Sequence, residues 1–198
     1  MFKAEGIECV KGYDSLFKDV DLELSSGEII RIQGTNGCGK TSLLRILTGL
    51  SQAEAGEVFW DGVSIEDDPT EFKQNMIYIG HLNGLKGELT ALENLEHSRQ
   101  YLSQSQPLDS EAALEKVGLA GYEHIIAHQL SAGQKRRVTL ARLHINRVPL
   151  WILDEPVTAI DVDGVEDFER TVEKHVQNGG MVILTTHQSL SFGSANIR

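Results

Sequence analysis

GTNGCGKT, residues 34–41, is the stretch that decides the fold. Gly34, Gly39, Lys40 and Thr41 fill every fixed position of the pattern G-x-x-x-x-G-K-[ST]; Thr35, Asn36, Gly37 and Cys38 lie between them and Ser42 follows. The pattern carries meaning only where it joins a strand to a helix, and both flanks comply. Upstream, Ile29, Ile30 and Ile32 read as a buried strand; downstream, Leu43, Leu44, Leu47 and Leu50 recur at helical spacing, with Gly49 near the end. Glycines let such a junction turn tightly, so that successive N–H groups point inward and the positive end of the helix dipole adds to them. That is a cradle for phosphates. Lys40 is expected to reach the β- and γ-phosphates of ATP, and the Thr41 hydroxyl to ligate Mg2+.

Outward from the loop, strands and helices alternate, which implies an α/β fold with a largely parallel sheet. Residues 1–33 read as short N-terminal strands with a turn at Ser25, Ser26 and Gly27. Further strands are expected around residues 57–60, 76–79, 150–153 and 181–184. A helix with Ile160, Val165, Phe168, Val172 and Val176 on one face precedes the last of these. Residues 90–146 read as mostly helical. Thr90 to Glu93 form a capping-box pattern, and Asp109 or Ser110 opens a helix that stops near Gly118. The expected layout is one domain, residues 1–198, with a helical subdomain at about 85–147 inserted into the α/β core. There is no repeat, low-complexity tract or proline-rich linker to mark a second unit.

Two acids end the apolar strand WILDE, residues 151–155, at the sheet edge where parallel strands present ligand-facing residues. Asp154 fits the second acidic contact to Mg2+, and Glu155 fits the general base that deprotonates the attacking water. His187 follows Thr185 and Thr186 at the end of another strand. A lone histidine is commonly a surface or core residue, but at this edge it is a candidate for contact with the γ-phosphate.

Many phosphate-loop proteins share these features; LSAGQ, residues 130–134, separates them. Ser131 and Gln134 make a capping box. A capped helix start rich in small residues also offers free N–H groups to an anion. LSAGQ resembles the LSGGQ signature of ATP-binding cassette proteins. The order of loop, signature, acidic strand, Ala159-Ile160-Asp161 and His187 is similar to that family across nearly the whole chain. No NKxD element of a GTPase is present. The resemblance implies an ATPase built as a head-to-tail dimer, with Ser131, Gly133 and Gln134 of one copy meeting ATP held by the other. It also implies a role across the dimer for Asp161, for which an N-cap is an equally good local explanation. Tyr13 is the candidate aromatic for adenine, with Phe17 or plain core packing as alternatives. Lys135, Arg136 and Arg137 read as a solvated helix face.

GHLNGLKGELTALENL, LSAGQKRRVTLARL and PLWILDEPVTAID resemble, within that family, the ATP-binding subunits of cytochrome c maturation systems. This implies docking on multi-span partners at the cytoplasmic face of the inner membrane, and a role in haem delivery or export. No residue here reads as a haem site. Another small-molecule exporter, or a soluble cassette regulator without a membrane partner, remains open. Most cassettes carry a glutamine after the strand read here at residues 76–79, whereas this chain has Gly80-His81. His81 is expected to replace it and to make turnover sensitive to pH between about 6 and 7; a loop histidine facing solvent is the alternative.

The composition narrows the partners. A net charge of −11 argues against nucleic acid, whose phosphates need clustered Lys and Arg. Cys9 and Cys38, the two cysteines, stand outside any metal-type spacing and suggest a reducing compartment. The start lacks the plan of a signal peptide, and no apolar stretch is long enough for a spanning helix. The chain ends soon after His187, so a final strand or helix is expected to be missing or cut short.

Overall fold

The apolar strands flanking the glycine loop form the centre of the molecule. The computed structural model describes residues 1–99, 108–192 and 196–197. In chain order the strands are β1 (Phe2–Lys11), β2 (Asp14–Leu24), β3 (Glu28–Ile32), β4 (Ala55–Trp60), β5 (Val63–Ser64), β6 (Met76–Ile79), β7 (Leu150–Asp154), β8 (Met181–Thr185) and β9 (Asn196–Ile197). The α-helices are α1 (Lys40–Leu47), α2 (Pro69–Gln74), α3 (Ala91–Arg99), α4 (Ser110–Lys116), α5 (Ala132–Ala141) and α6 (Val162–Gln177). A parallel sheet of order β6-β7-β8-β3-β9 faces an antiparallel sheet of order β2-β1-β4-β5.

Period-two alternation sorts the parallel strands between two cores. Ile29, Trp151, Leu153, Val182 and Leu184 face a cluster shared with α5 and α6, whereas Ile30, Leu150, Ile152, Met181 and Ile183 face one shared with α1 and the antiparallel sheet. Both faces are covered, which is why these strands are apolar without interruption. Each fully buried Leu or Ile contributes about 1.5–3 kcal/mol relative to exposure. The helix α6 supplies Phe168, Val172 and Val176 to the first cluster, with Val165 partly buried beside them. Ile160 packs there too, but it precedes the helix, because the Asp161 side chain caps it by accepting from Gly164 N.

The sequence reading needs three adjustments. The N-terminal strands are long, and they meet in a hairpin at Gly12 and Tyr13, where Gly12 has φ 67° and Lys11 pairs with Asp14. The turn at residues 25–27 does exist, with Glu28 N donating to Ser25 O at 3.2 Å. Leu50 is half-exposed, because α1 has already ended: Gly49 N donates to Ile46 O and Leu50 N to Arg45 O, a Schellman closure around Gly49 at φ 68°. Finally, a strand follows His187, since β9 pairs in parallel with β3.

The helices α3, α4 and α5 lie between β6 and β7 in the chain. Thr90 and Glu93 bond each other reciprocally at the start of α3, and Asp109 caps α4 through Ala112 N. Asn94, buried on α3, accepts from Lys86 N and donates to the carbonyls of Lys86, Leu89 and Thr90, so it braces the segment leading from His81. Among the described residues no helix is long and apolar enough to cross a membrane.

Candidate active site

Strand register builds the site. Ile32 of β3 and Asp154 of β7 both pair with Thr185 of β8, so the three strands end level at their carboxyl edge. The loop leaving β3 therefore reaches across β8. Thr41 Oγ1 donates to Asp154 Oδ2 at 2.7 Å, and Thr185 Oγ1 donates to Asp154 Oδ1 at 2.7 Å. Asp154 is 1% exposed, a buried carboxylate that is accommodated only because both its oxygens are hydrogen-bonded.

The loop itself turns through Gly37 at φ 84° and Gly39 at φ 100°. Backbone alone does not fix its glycines. A Cβ on Gly34 would lie 2.6 Å from Cys38 Sγ, and one on Gly39 would lie 2.9 Å from the Phe17 ring. Lys40 Nζ donates to Gly34 O at 2.7 Å and to Thr35 O at 3.1 Å, so its ammonium lies over the loop. Phe17 and Leu16 of β2 pack onto Gly39, whereas Tyr13 stands fully exposed at the tip of the hairpin. Cys9 and Cys38 are free thiols.

Glu155 follows β7 in a left-handed turn, φ 50°, which is costly for a residue with a Cβ. Its N–H donates to Thr185 Oγ1 at 3.0 Å, and its Oε2 accepts from His187 N at 3.2 Å. Its Oε1 is buried and, among the described residues, makes no hydrogen bond; His187 Nε2 lies 3.4 Å away. The His187 side chain is half-exposed and that of Glu155 largely covered, so an acid and an imidazole face one point at the rim. Arg31 donates to the neighbouring Gln188 O at 2.7 Å.

The signature helix sits against the same edge. The box expected at its start is present: Gln134 N donates to Ser131 Oγ, and Gln134 Oε1 accepts from Ser131 N. Gly133 has a reason within its own chain, because a Cβ there would lie 2.6 Å from Ala159 O. The expectation of a solvated face at residues 135–137 is wrong for both arginines. Arg136 is 3% exposed, and Arg137 donates to Val117 O at 2.7 Å and to Asp161 Oδ1 at 2.5 Å. Gly164 N and then Arg137 hold the Asp161 carboxyl below its ordinary range, so it caps α6 and anchors α5 together. The missed signal was periodicity, since Arg136, Thr139 and Leu140 share the buried side of one helix. His81 is exposed on the segment following β6.

The family model described as ABC transporter matches residues 17–158. The chain belongs to the ABC transporter family. The cytochrome c biogenesis ATP-binding export protein CcmA of Dechloromonas aromatica (strain RCB) is 46% identical over 202 residues, covering 100% of this chain and 98% of that protein. Its counterpart in Escherichia coli (strain K12) is 48% identical over 198 residues, covering 100% and 94%. Among solved structures, the dimeric post-hydrolysis ATP-binding cassette MJ0796, bound to ADP and Pi, superposes with a TM-score of 0.82 at 27% identity, over 95% of this chain and 88% of that one. The chain therefore binds and hydrolyses ATP.

The residues fit a nucleotide with its metal. The loop turns left-handed at Gly37 and Gly39, as a phosphate-wrapping backbone requires, and Thr41 and Asp154 bring two hard oxygen donors to one point, the donor type that Mg2+ takes.

Proposed function

We propose that this cassette is the ATP-hydrolysing subunit of a cytochrome c maturation complex that exports or delivers haem. In this reading it works as a head-to-tail dimer on multi-span partners at the cytoplasmic face of the inner membrane. The observation that carries the reading is the 46–48% identity, along the whole chain, to proteins named for cytochrome c biogenesis export. The exposed edge at His81 and Leu82, beside a braced helical layer, offers a surface where a partner can act on the site.

The chemistry follows from the edge of the sheet. Residues 34–42 wrap the phosphates, with Lys40 exchanging the Gly34 and Thr35 carbonyls for β- and γ-phosphate oxygens. Thr41 and Asp154 would hold Mg2+, which when bound neutralises charge developing on the phosphate oxygens. Glu155 takes a proton from water as its oxygen bonds to the γ-phosphorus and the bond to the β-bridging oxygen breaks, releasing ADP and phosphate. His187, 3.4 Å from Glu155 Oε1, orients the same water and the γ-phosphate. Ser131, Gly133 and Gln134 of the second copy close over that phosphate, and Asp161 links the halves. Tyr13, at the free hairpin tip, or Phe17 supplies the adenine contact.

Three experiments test the reading. Glu155→Gln should cut kcat about 100-fold or more while ATP still binds; undiminished turnover removes the base assignment. Deleting the gene should abolish assembly of c-type cytochromes, and multi-span proteins should co-purify with the tagged chain from membranes. A deletion strain that still assembles its c-type cytochromes refutes the haem assignment.

A further inference from the structure

The guanidinium of Arg136 is buried beneath the acidic strand end, where it meets main-chain carbonyls from two separate segments. Its Nε donates to Pro156 O at 2.8 Å, and its Nη2 donates to Asp154 O at 2.9 Å and Glu155 O at 2.7 Å. Three successive carbonyls thus converge on one cation. The other arm, Nη1, donates to Gly80 O at 2.9 Å and lies 3.4 Å from Asn83 Oδ1. Thr139, one turn further along α5, donates to Asn83 O at 3.1 Å. Both segments matter to the site: the first carries Glu155 and the second carries His81.

Carbonyls pointed at a common centre repel one another, and the φ of 50° at Glu155 is strained for any residue but glycine. A planar, permanently charged fork with five donors opposes both costs, and its fixed angles dictate where each carbonyl lies. Three hydrogen bonds from one side chain thus tie the backbone of residues 154–156 to α5.

We infer that Arg136 is a positioning residue for hydrolysis: it fixes the turn that aims Glu155 and locks that turn to the His81 segment and the signature helix, making base placement depend on the seat of α5. This rests on Glu155 being the general base. Arg136 reaches Asp154 through its main-chain carbonyl, whereas the phosphate loop reaches it through the carboxylate, by way of Thr41. Its loss should therefore alter turnover and leave ATP binding intact.

The test uses Arg136→Lys, which keeps the charge and some donors but cannot span Gly80 and Pro156 at once. Arg136→Met strands four carbonyls and is a poorer probe, because it risks misfolding. In the complex isolated with its partners, Arg136→Lys should lower kcat about 10- to 100-fold with the KM for ATP within about twofold of the parent. Affinity for a non-hydrolysable ATP analogue should be unchanged. Unchanged kcat per nucleotide-binding site, with only a lower melting temperature, marks a structural arginine and overturns the inference. A loss of analogue binding in step with kcat overturns it too. Glu155→Gln measured in the same preparation keeps the two readings apart. If that variant turns over fully, the base assignment fails; if it is inactive while Arg136→Lys is normal, only the coupling fails.

Discussion

Acid should destabilise this protein through His175, and the size of the effect follows from its packing. The ring, on α6, stacks on Trp151 of β7 with centroids 3.7 Å apart and planes 5° from parallel. Its Nε2 lies 3.2 Å from Pro149 O, and Gly180 passes so closely that a Cβ there would lie 2.2 Å from the same nitrogen. Burial in this slot pushes the pKa down to about 4, against hydrogen bonding to the Pro149 and Met181 main chain, which pushes it up. In the unfolded chain the imidazole titrates at about 6.5.

Between those values the unfolded chain binds a proton that the folded one refuses, so protonation favours unfolding. The stabilisation is complete above about pH 6.5 and drains away as pH falls toward 4. With these pKa values the loss is about 1.3 kcal/mol at pH 5.5 and about 3 kcal/mol at pH 4. His144, also lowered chiefly by burial, acts in the same direction and remains as background. The assay is urea unfolding of the parent and of His175→Phe at pH 7.5, 5.5 and 4. Phe keeps the stack and cannot titrate, so the parent should lose more stability than the variant by those amounts. Equal pH dependence in the two proteins refutes the argument.

Two further outcomes are expected nearer the chemistry. Thr185→Val removes the donor to Asp154 Oδ1 and one acceptor for Glu155 N, so urea unfolding should show a loss of about 1.5–3 kcal/mol, with ATPase activity reduced. A stability change under about 0.5 kcal/mol would show that Asp154 finds another partner. His81→Gln should change the pH dependence of kcat, because an amide cannot take up a proton where an imidazole can; an unaltered profile would remove His81 from the reaction.

The two apolar strands feeding Gly34 and Asp154, the helical spacing after Thr41 and the capping boxes at Thr90 and Ser131 were all legible, because each depends on residues within one turn or one strand. Local chemistry therefore identified the phosphate loop, the acidic pair and the order of elements. The pairing of Lys11 with Asp14 was harder to see, since it depends on a two-residue turn whose only mark is Gly12. What the chain order could not supply was register. That Thr185 stands level with both Ile32 and Asp154, and so bonds the carboxylate that Thr41 also reaches, is a property of three strands laid side by side. Arg136 makes the same point more sharply. Beside Lys135 and Arg137 it read as part of a charged surface, yet tertiary packing turns it inward, onto carbonyls 18 to 56 residues away in sequence. Sequence alone determined which groups could act on a phosphate. Only the packing of α5 against the sheet edge decided which charge would hold them in place, because a buried cation is stable only where distant carbonyls converge on it.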